Sequence, residues 1–201
     1  MNALLMHPLT KPAVGLVALG PFCWLAYAAV ADPSLYLGAN PAEALIRQTG
    51  EMALRMLCAT LAITPLRQWT GWNALARLRR LLGLCTFFYG VVHFLCFAWL
   101  DMGLELDAIL QDIAKRPFIL VGTTALLLML PLAATSFNRA IRALGARRWQ
   151  ALHRTVYAVA VLAVLHFFWM RAGKNDFADV AVYAGTLAVL LGWRVRRKFS
   201  S

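Results

Sequence analysis

The chain contains no glycine-rich nucleotide-binding loop, no internal repeat and no low-complexity tract, and its connections are too short for a soluble domain. A flavin or nicotinamide domain in the aqueous phase is therefore not expected. Cysteine is sparse. Cys23, Cys58, Cys85 and Cys96 form no C-x-x-C pair and all lie in apolar runs. That pattern gives no disulfide framework and reads as small packing residues. Acidic residues are few as well, nine against 20 Lys and Arg, for a net charge of +11.

Apolar residues are abundant. They make up 61% of 201 residues, with a mean hydropathy of +0.65, against about 45–50% in soluble globular proteins. A membrane-spanning helix needs roughly 17–25 mostly apolar residues. Six segments approach that pattern, near 13–31, 52–66, 81–100, 118–134, 153–170 and 177–193. The second is short and contains Arg55, so its start is expected nearer Gly50. The expected fold is all-α, a single transmembrane domain over 1–201. Lys11 ahead of an apolar run ending Ala29-Val30-Ala31 resembles a signal peptide. The run is long for one, and an uncleaved helix is expected.

The basic excess could suggest nucleic acid, but its distribution argues against it. With a cytoplasmic N-terminus and six spans, 14 of the 20 basic residues fall on the inner side. They include Arg67, Arg77, Arg79 and Arg80, the group from Arg139 to Arg154, and Arg194 to Lys198. All nine acids, from Asp32 to Asp179, fall on the outer side. The positive-inside rule then puts both termini in the cytoplasm. Anionic lipid is a secondary partner, and nucleic acid is not expected. The acidic loop Asp101–Asp112 reads as a solvated outer loop, with docking of an outer partner as the alternative.

Two histidines sit inside apolar runs, His93 in the third span and His166 in the fifth. An ionisable side chain within a span is costly, so it marks function by default. His93 is twelve residues and His166 thirteen residues from the inner ends of their spans. At about 1.5 Å per residue both lie roughly 18–20 Å deep. Two level neutral imidazoles suit the axial positions of one haem iron held between helices 3 and 5. Gly83 and Gly90 share one stripe of the third helix and could leave room for a macrocycle, or could simply pack helices. His153, thirteen residues before His166, stays open between a ligand of a second, inner haem and an interfacial histidine beside Trp149. On an ideal helix those thirteen residues turn the side chain by about 220°, and the third span offers Arg79 and Arg80 where a partner histidine would stand. His7 reads as a solvated side chain. Arginines can bind haem propionates. Arg55 and Arg171 are candidates on the outer side; Arg77, Arg79, Arg80 and Arg148 are candidates on the inner side. Glu51, four residues before Arg55, is its alternative partner.

Several stretches, taken together, resemble the MsrQ (YedZ) family. They are Thr49-Gly50-Glu51-Met52-Ala53-Leu54, Thr60-Leu61-Ala62-Ile63-Thr64-Pro65-Leu66-Arg67 and Arg79-Arg80-Leu81-Leu82-Gly83-Leu84 with Tyr89 and His93. Lys115-Arg116-Pro117-Phe118-Ile119, Pro131-Leu132-Ala133-Ala134-Thr135-Ser136 and Arg148-Trp149-Gln150-Ala151-Leu152-His153-Arg154 continue the order. The resemblance spans nearly the whole chain. It implies a multi-pass haem b protein of the bacterial inner membrane, in the ferric reductase-like superfamily, with His93, His153 and His166 matching the family's histidines. It also implies FMN, to which no residue of the chain is assigned. It further implies electrons from the quinone pool or a cytoplasmic flavin reductase, and delivery to MsrP, a periplasmic molybdopterin enzyme that reduces protein methionine sulfoxide. The chain departs from the NADPH oxidase pattern in lacking a second histidine on the third span, which leaves the number of haems open. The residues alone lead to a six-helix membrane protein with at least one buried haem, moving electrons across the bilayer. The alternatives are a stand-alone transmembrane ferric or quinone reductase, and a non-redox transporter or structural membrane subunit.

Overall fold

The computed structural model describes residues 2–173 and 175–199, the side chains of 198 and 199 excepted. Lys174 and the side chain of Lys198, both counted in the charge pattern, lie outside the described residues. The described elements are helices: α1 (Asn2–Met6), α2 (Thr10–Ala31), α3 (Pro33–Leu37), α4 (Pro41–Thr70), α5 (Arg79–Cys96), α6 (Leu106–Lys115), α7 (Pro117–Ala134), α8 (Asn138–His153), α9 (Val156–Ala172) and α10 (Ala178–Phe199). The chain divides into two compact units, Met1–Ile109 and Leu110–Ser201.

In the first unit the helix ends follow local chemistry. Asp32 leaves the helical conformation at the end of α2, and its carboxylate accepts from the Leu35 amide, which starts α3. The Asn40 side chain accepts from the Glu43 amide, and Pro41 follows where an N–H would be unpaired anyway. Gly71, at φ 71°, ends α4 in the left-handed conformation that glycine adopts without a Cβ penalty. A 3-10 turn, Asn73–Leu78, leads into α5, which continues as a π-helical turn, Phe97–Asp101. α4 packs along α5, and Leu54, Leu57 and Leu61 of the first and Leu82, Cys85 and Tyr89 of the second are buried.

In the second unit α7 packs on α9, and α10 packs on α9. Pro117 opens α7. α8 is broken at Gly145, whose φ of 72° turns the chain within the arginine-rich connection.

Five helical stretches are long and apolar enough to cross a membrane: Thr10–Ala31, Asn73–Asp101, Pro117–Ala134, Asn138–Ala172 and Ala178–Arg197. Their outer faces suit lipid. Val17 is 79% and Val30 87% exposed, which in water would be a liability. α4 is not among the five, although at 30 residues it is the longest helix. Glu43, Arg47, Glu51, Arg55 and Arg67 interrupt its apolar pattern. The second span expected over 52–66 is the middle of this helix, which begins at Pro41, well before Gly50. The outer loop expected over Asp101–Asp112 is also largely ordered, because α6 begins at Leu106. Lipid is as apolar as leucine, so burial alone gains little between spanning helices; close packing and buried hydrogen bonds set specificity there.

Candidate functional site

His93 lies on α5, half-buried, with Nδ1 2.8 Å from the carbonyl oxygen of Ile46 on α4. A carbonyl oxygen can only accept, so Nδ1 carries the hydrogen. In the neutral ring the lone pair then resides on Nε2. In a helix the Ile46 carbonyl points toward residue 50, which is glycine. A Cβ there would stand 3.0 Å from both Nδ1 and Cε1 of His93. A side chain there would crowd the imidazole where it approaches the carbonyl.

The second unit repeats this arrangement. His166 on α9 places Nδ1 2.6 Å from the carbonyl oxygen of Phe118 on α7. Four residues after Phe118 comes Gly122, where a Cβ would stand 2.7 Å from Nδ1 and 2.8 Å from Cε1 of His166. The Phe118 ring lies 6.1 Å from the imidazole. Each unit therefore holds one histidine with a carbonyl on its Nδ1–H and a glycine behind the ring. The sequence shows no repeat, and neither Gly50 nor Gly122 stands out in it as a site residue. The available signal is a helical glycine 43 residues before one histidine and 44 before the other.

His153, at the end of α8, is held differently. Its Nε2 is 3.1 Å from the Thr135 hydroxyl, and that hydroxyl donates to the Pro131 carbonyl at 2.6 Å. With its hydrogen committed, the hydroxyl accepts from His153 Nε2–H, the opposite tautomer to the other two. Trp149 stacks on the ring at 4.0 Å and donates Nε1–H to the Thr135 carbonyl at 2.9 Å. A turn at Arg154–Thr155 separates His153 from α9, so the rotation calculated for one ideal helix does not carry across. His7 is exposed and accepts from the Leu9 amide.

The remaining candidates have local partners. Arg55 pairs with Glu51 at 3.0 Å, one turn away. Arg171 is buried against Phe167 and bonds Asp176 at 2.7 Å and Asp179 at 3.2 Å. Arg79 donates to the Thr64 hydroxyl, and Arg77 to the carbonyls of Leu5 and Met6. Arg80 and Arg148 are exposed. Gly83 faces Thr60 of α4 at ordinary contact distance, and Gly90 is buried. Among the described residues no three His, Cys, Asp or Glu side chains gather as they would around a chelated metal ion.

A family model described as "Ferric reductase like transmembrane component" matches residues 49–164. This stretch contains Gly50, His93, Gly122 and His153. No solved structure matches the chain. Among curated proteins, the "Protein-methionine-sulfoxide reductase heme-binding subunit MsrQ" of Polaromonas naphthalenivorans is 60% identical, covering 95% of this chain and 86% of its own length. The protein of the same description from Ralstonia nicotianae is 55% identical, covering 91% of this chain and 83% of its own length. That of Bordetella pertussis is 51% identical, covering 92% and 88%. Matched over more than half its length by the family model and nearly end to end by these relatives, the chain belongs to the MsrQ group of the ferric reductase-like transmembrane family.

Proposed function

We propose that this protein is the haem-binding membrane subunit of a protein-methionine-sulfoxide reductase system, and that His93 and His166 are axial ligands of a haem b. The observation that carries the reading is the shared tautomer. Both half-buried rings give Nδ1–H to a helix carbonyl, the arrangement in which a ligating histidine presents Nε2 to a metal and is held in orientation from behind. The level depth of the two positions in the sequence supports placing them on one haem. When bound, haem b supplies reversible one-electron chemistry. The chain's own part is to fix two imidazoles in the neutral form, orient them and enclose them in apolar surroundings.

α4 is proposed as a sixth crossing, with both termini cytoplasmic. Thirty residues at about 1.5 Å each exceed the roughly 30 Å hydrocarbon core. Of its charged residues, Glu43, Arg47 and Arg67 lie near the ends, and Arg55 in the apolar middle is neutralised by Glu51. The proposed route runs from membrane quinol or a cytoplasmic flavin reductase to a periplasmic MsrP-type acceptor in the bacterial inner membrane. The relatives' names support the methionine-sulfoxide reductase system as its destination; the donor, the periplasmic side and the inner membrane rest on the family resemblance. FMN is assigned to no residue, and nothing in the route is attributed to it. His153 is held as a ligand of a second haem or as an interfacial histidine.

The test is the absorption spectrum and haem content of the chain purified from haem-replete cells. A low-spin haem b spectrum is expected, abolished by His93→Ala and by His166→Ala. A protein without a Soret band ends the proposal, and a low-spin spectrum surviving either substitution ends the pairing. Purified protein that reduces iron chelates far faster than an MsrP-type acceptor points instead to a stand-alone ferric reductase.

A further inference from the structure

We infer that Gly50 and Gly122 are positioning residues for the two histidines, acting through the carbonyls of Ile46 and Phe118. The inference rests on the haem-ligand reading above and goes beyond it, since it assigns a role to residues that lie against the ligands. Two independent local geometries carry it. In each unit a glycine follows the accepting carbonyl by four residues, and in each the imidazole lies within 3.0 Å of where a Cβ would stand. Helix packing alone would explain small residues at close contacts. It would not explain why both pairs bring the same ring atoms, Nδ1 and Cε1, against the glycine, or why both carbonyls take the Nδ1–H.

The two cradles differ in tightness. A Cβ at Gly122 would meet the His166 ring at 2.7–3.1 Å, closer than real Cβ contacts allow. At Gly50 the approaches to His93 are 3.0–3.6 Å, which a shift of a few tenths of an ångström relieves. An added methyl pushes the ring away from its carbonyl and lengthens the Nδ1–H···O bond. A histidine that gives Nδ1–H to a good acceptor is a more basic ligand, and a more basic ligand favours ferric over ferrous iron. Weakening the bond should therefore raise the reduction potential and loosen the haem.

The experiment compares Gly50→Ala and Gly122→Ala in the purified full chain with Gly20→Ala and Gly185→Ala. The latter two are helical glycines with open space around the Cβ position. Expected for Gly122→Ala is a haem affinity lower by about 10–100-fold, as for other outer-shell changes. Where haem is retained, the reduction equilibrium should shift toward ferrous iron by up to about tenfold, which is about 59 mV for one electron. Gly50→Ala should shift in the same direction and by less, and the two controls not at all. Wild-type potential and affinity in both cradle variants, with His93→Ala and His166→Ala still losing haem, overturns this inference while leaving the ligand reading intact. A wild-type chain that binds no haem removes both.

A second measurement needs no variant. In wild type with reduced, diamagnetic haem, nitrogen-15 spectra of labelled histidine should show both ligating rings protonated at Nδ1, with solvent exchange slowed by the carbonyl bond. A ring found ligating through Nδ1, or protonated there but exchanging as fast as a solvent-facing imidazole, overturns the assignment for that histidine.

Discussion

Tyr89 of α5 donates its phenolic hydrogen to the carbonyl oxygen of Ala18 on α2 across 2.7 Å, and the phenolic oxygen in turn accepts from the Phe22 amide at 3.2 Å. Ala18 and Phe22 would ordinarily bond to each other, so the phenol stands in the backbone ladder of its neighbour. Pro21 lies inside α2 beside this point and has no N–H of its own to give. Tyr89 is fully buried. Its ring is flanked by Phe88, which in turn meets Phe22 edge-on at 5.0 Å.

Tyr89→Phe keeps the ring and removes the bridge. It leaves a helix carbonyl and an amide without their shared partner in a buried setting, which costs about 1–3 kcal/mol. The midpoint of thermal or denaturant unfolding in detergent should fall accordingly. His93 lies one turn further along α5, so the haem spectrum is a second readout. It should be unchanged, because Ile46 and Gly50, not α2, hold that ring.

Much of this architecture is visible in the apolar pattern, and what is missed has identifiable causes. The fourth span is expected at 118–134 and found at Pro117–Ala134, since an X-Pro start and a Thr135-Ser136 end bracket an uninterrupted apolar run. α4 is misjudged because hydropathy registers only its middle. The signals that set its ends are of another kind: Asn40 with Pro41 at one end and Gly71 at the other. In α6 the aspartates obscure Leu106, Ile109, Leu110 and Ile113, which recur with helical spacing. The histidines can be picked out because a titratable group in an apolar run is costly. Gly50 and Gly122 cannot, because a helical glycine is common in spanning helices and acquires its role only when another helix brings a ring against it.

The Thr135–His153 bond gives a test that separates the three histidines. Thr135→Val removes the acceptor for Nε2–H and nearly keeps the volume. His153→Ala removes the ring from Trp149 as well. Both should leave intact the low-spin spectrum proposed for His93 and His166, since each of those rings is held by a different carbonyl. Loss of that spectrum in either variant contradicts the assignment. Haem per chain decides the role left open: a drop in His153→Ala with the low-spin spectrum retained marks a second haem on His153. Thr135→Val should cost about 0.5–1.5 kcal/mol, the net value of an ordinary hydrogen bond.

A pH effect is expected at the end of α2. The Ser34 hydroxyl, and after it the Leu35 amide, bond the Asp32 carboxylate and hold its pKa below the usual value. A carboxyl with a depressed folded pKa stabilises the cap above its unfolded pKa, near about 3.9, and the contribution disappears as pH falls through the folded value. Protection of the Leu35 amide, normalised to its intrinsic exchange rate, should therefore decrease on acidification below about pH 4. Asp32→Asn keeps an acceptor that does not titrate there, so the same step should be absent. A step that persists in this variant would trace it to another group.

Arg171 offers the clearest non-additive prediction. Its side chain is only 7% exposed, while its partners Asp176 and Asp179 are 47% and 52% exposed. Each aspartate takes one terminal nitrogen of the guanidinium. Asp176→Asn or Asp179→Asn alone leaves a carboxylate on the buried charge, and each should cost no more than about 1 kcal/mol, as at a solvent-screened pair. The double substitution leaves the guanidinium with no carboxylate. A fully buried pair loses about 3–5 kcal/mol when one partner is removed; half-exposed aspartates bring the expectation down to about 2–3 kcal/mol. The unfolding midpoint of the double variant should therefore fall by more than the sum of the singles, and added salt should not close the gap, because the exposed charge lies on the acids and the buried charge on Arg171. Additive losses would show that the two aspartates act independently at the surface and that the guanidinium is compensated elsewhere.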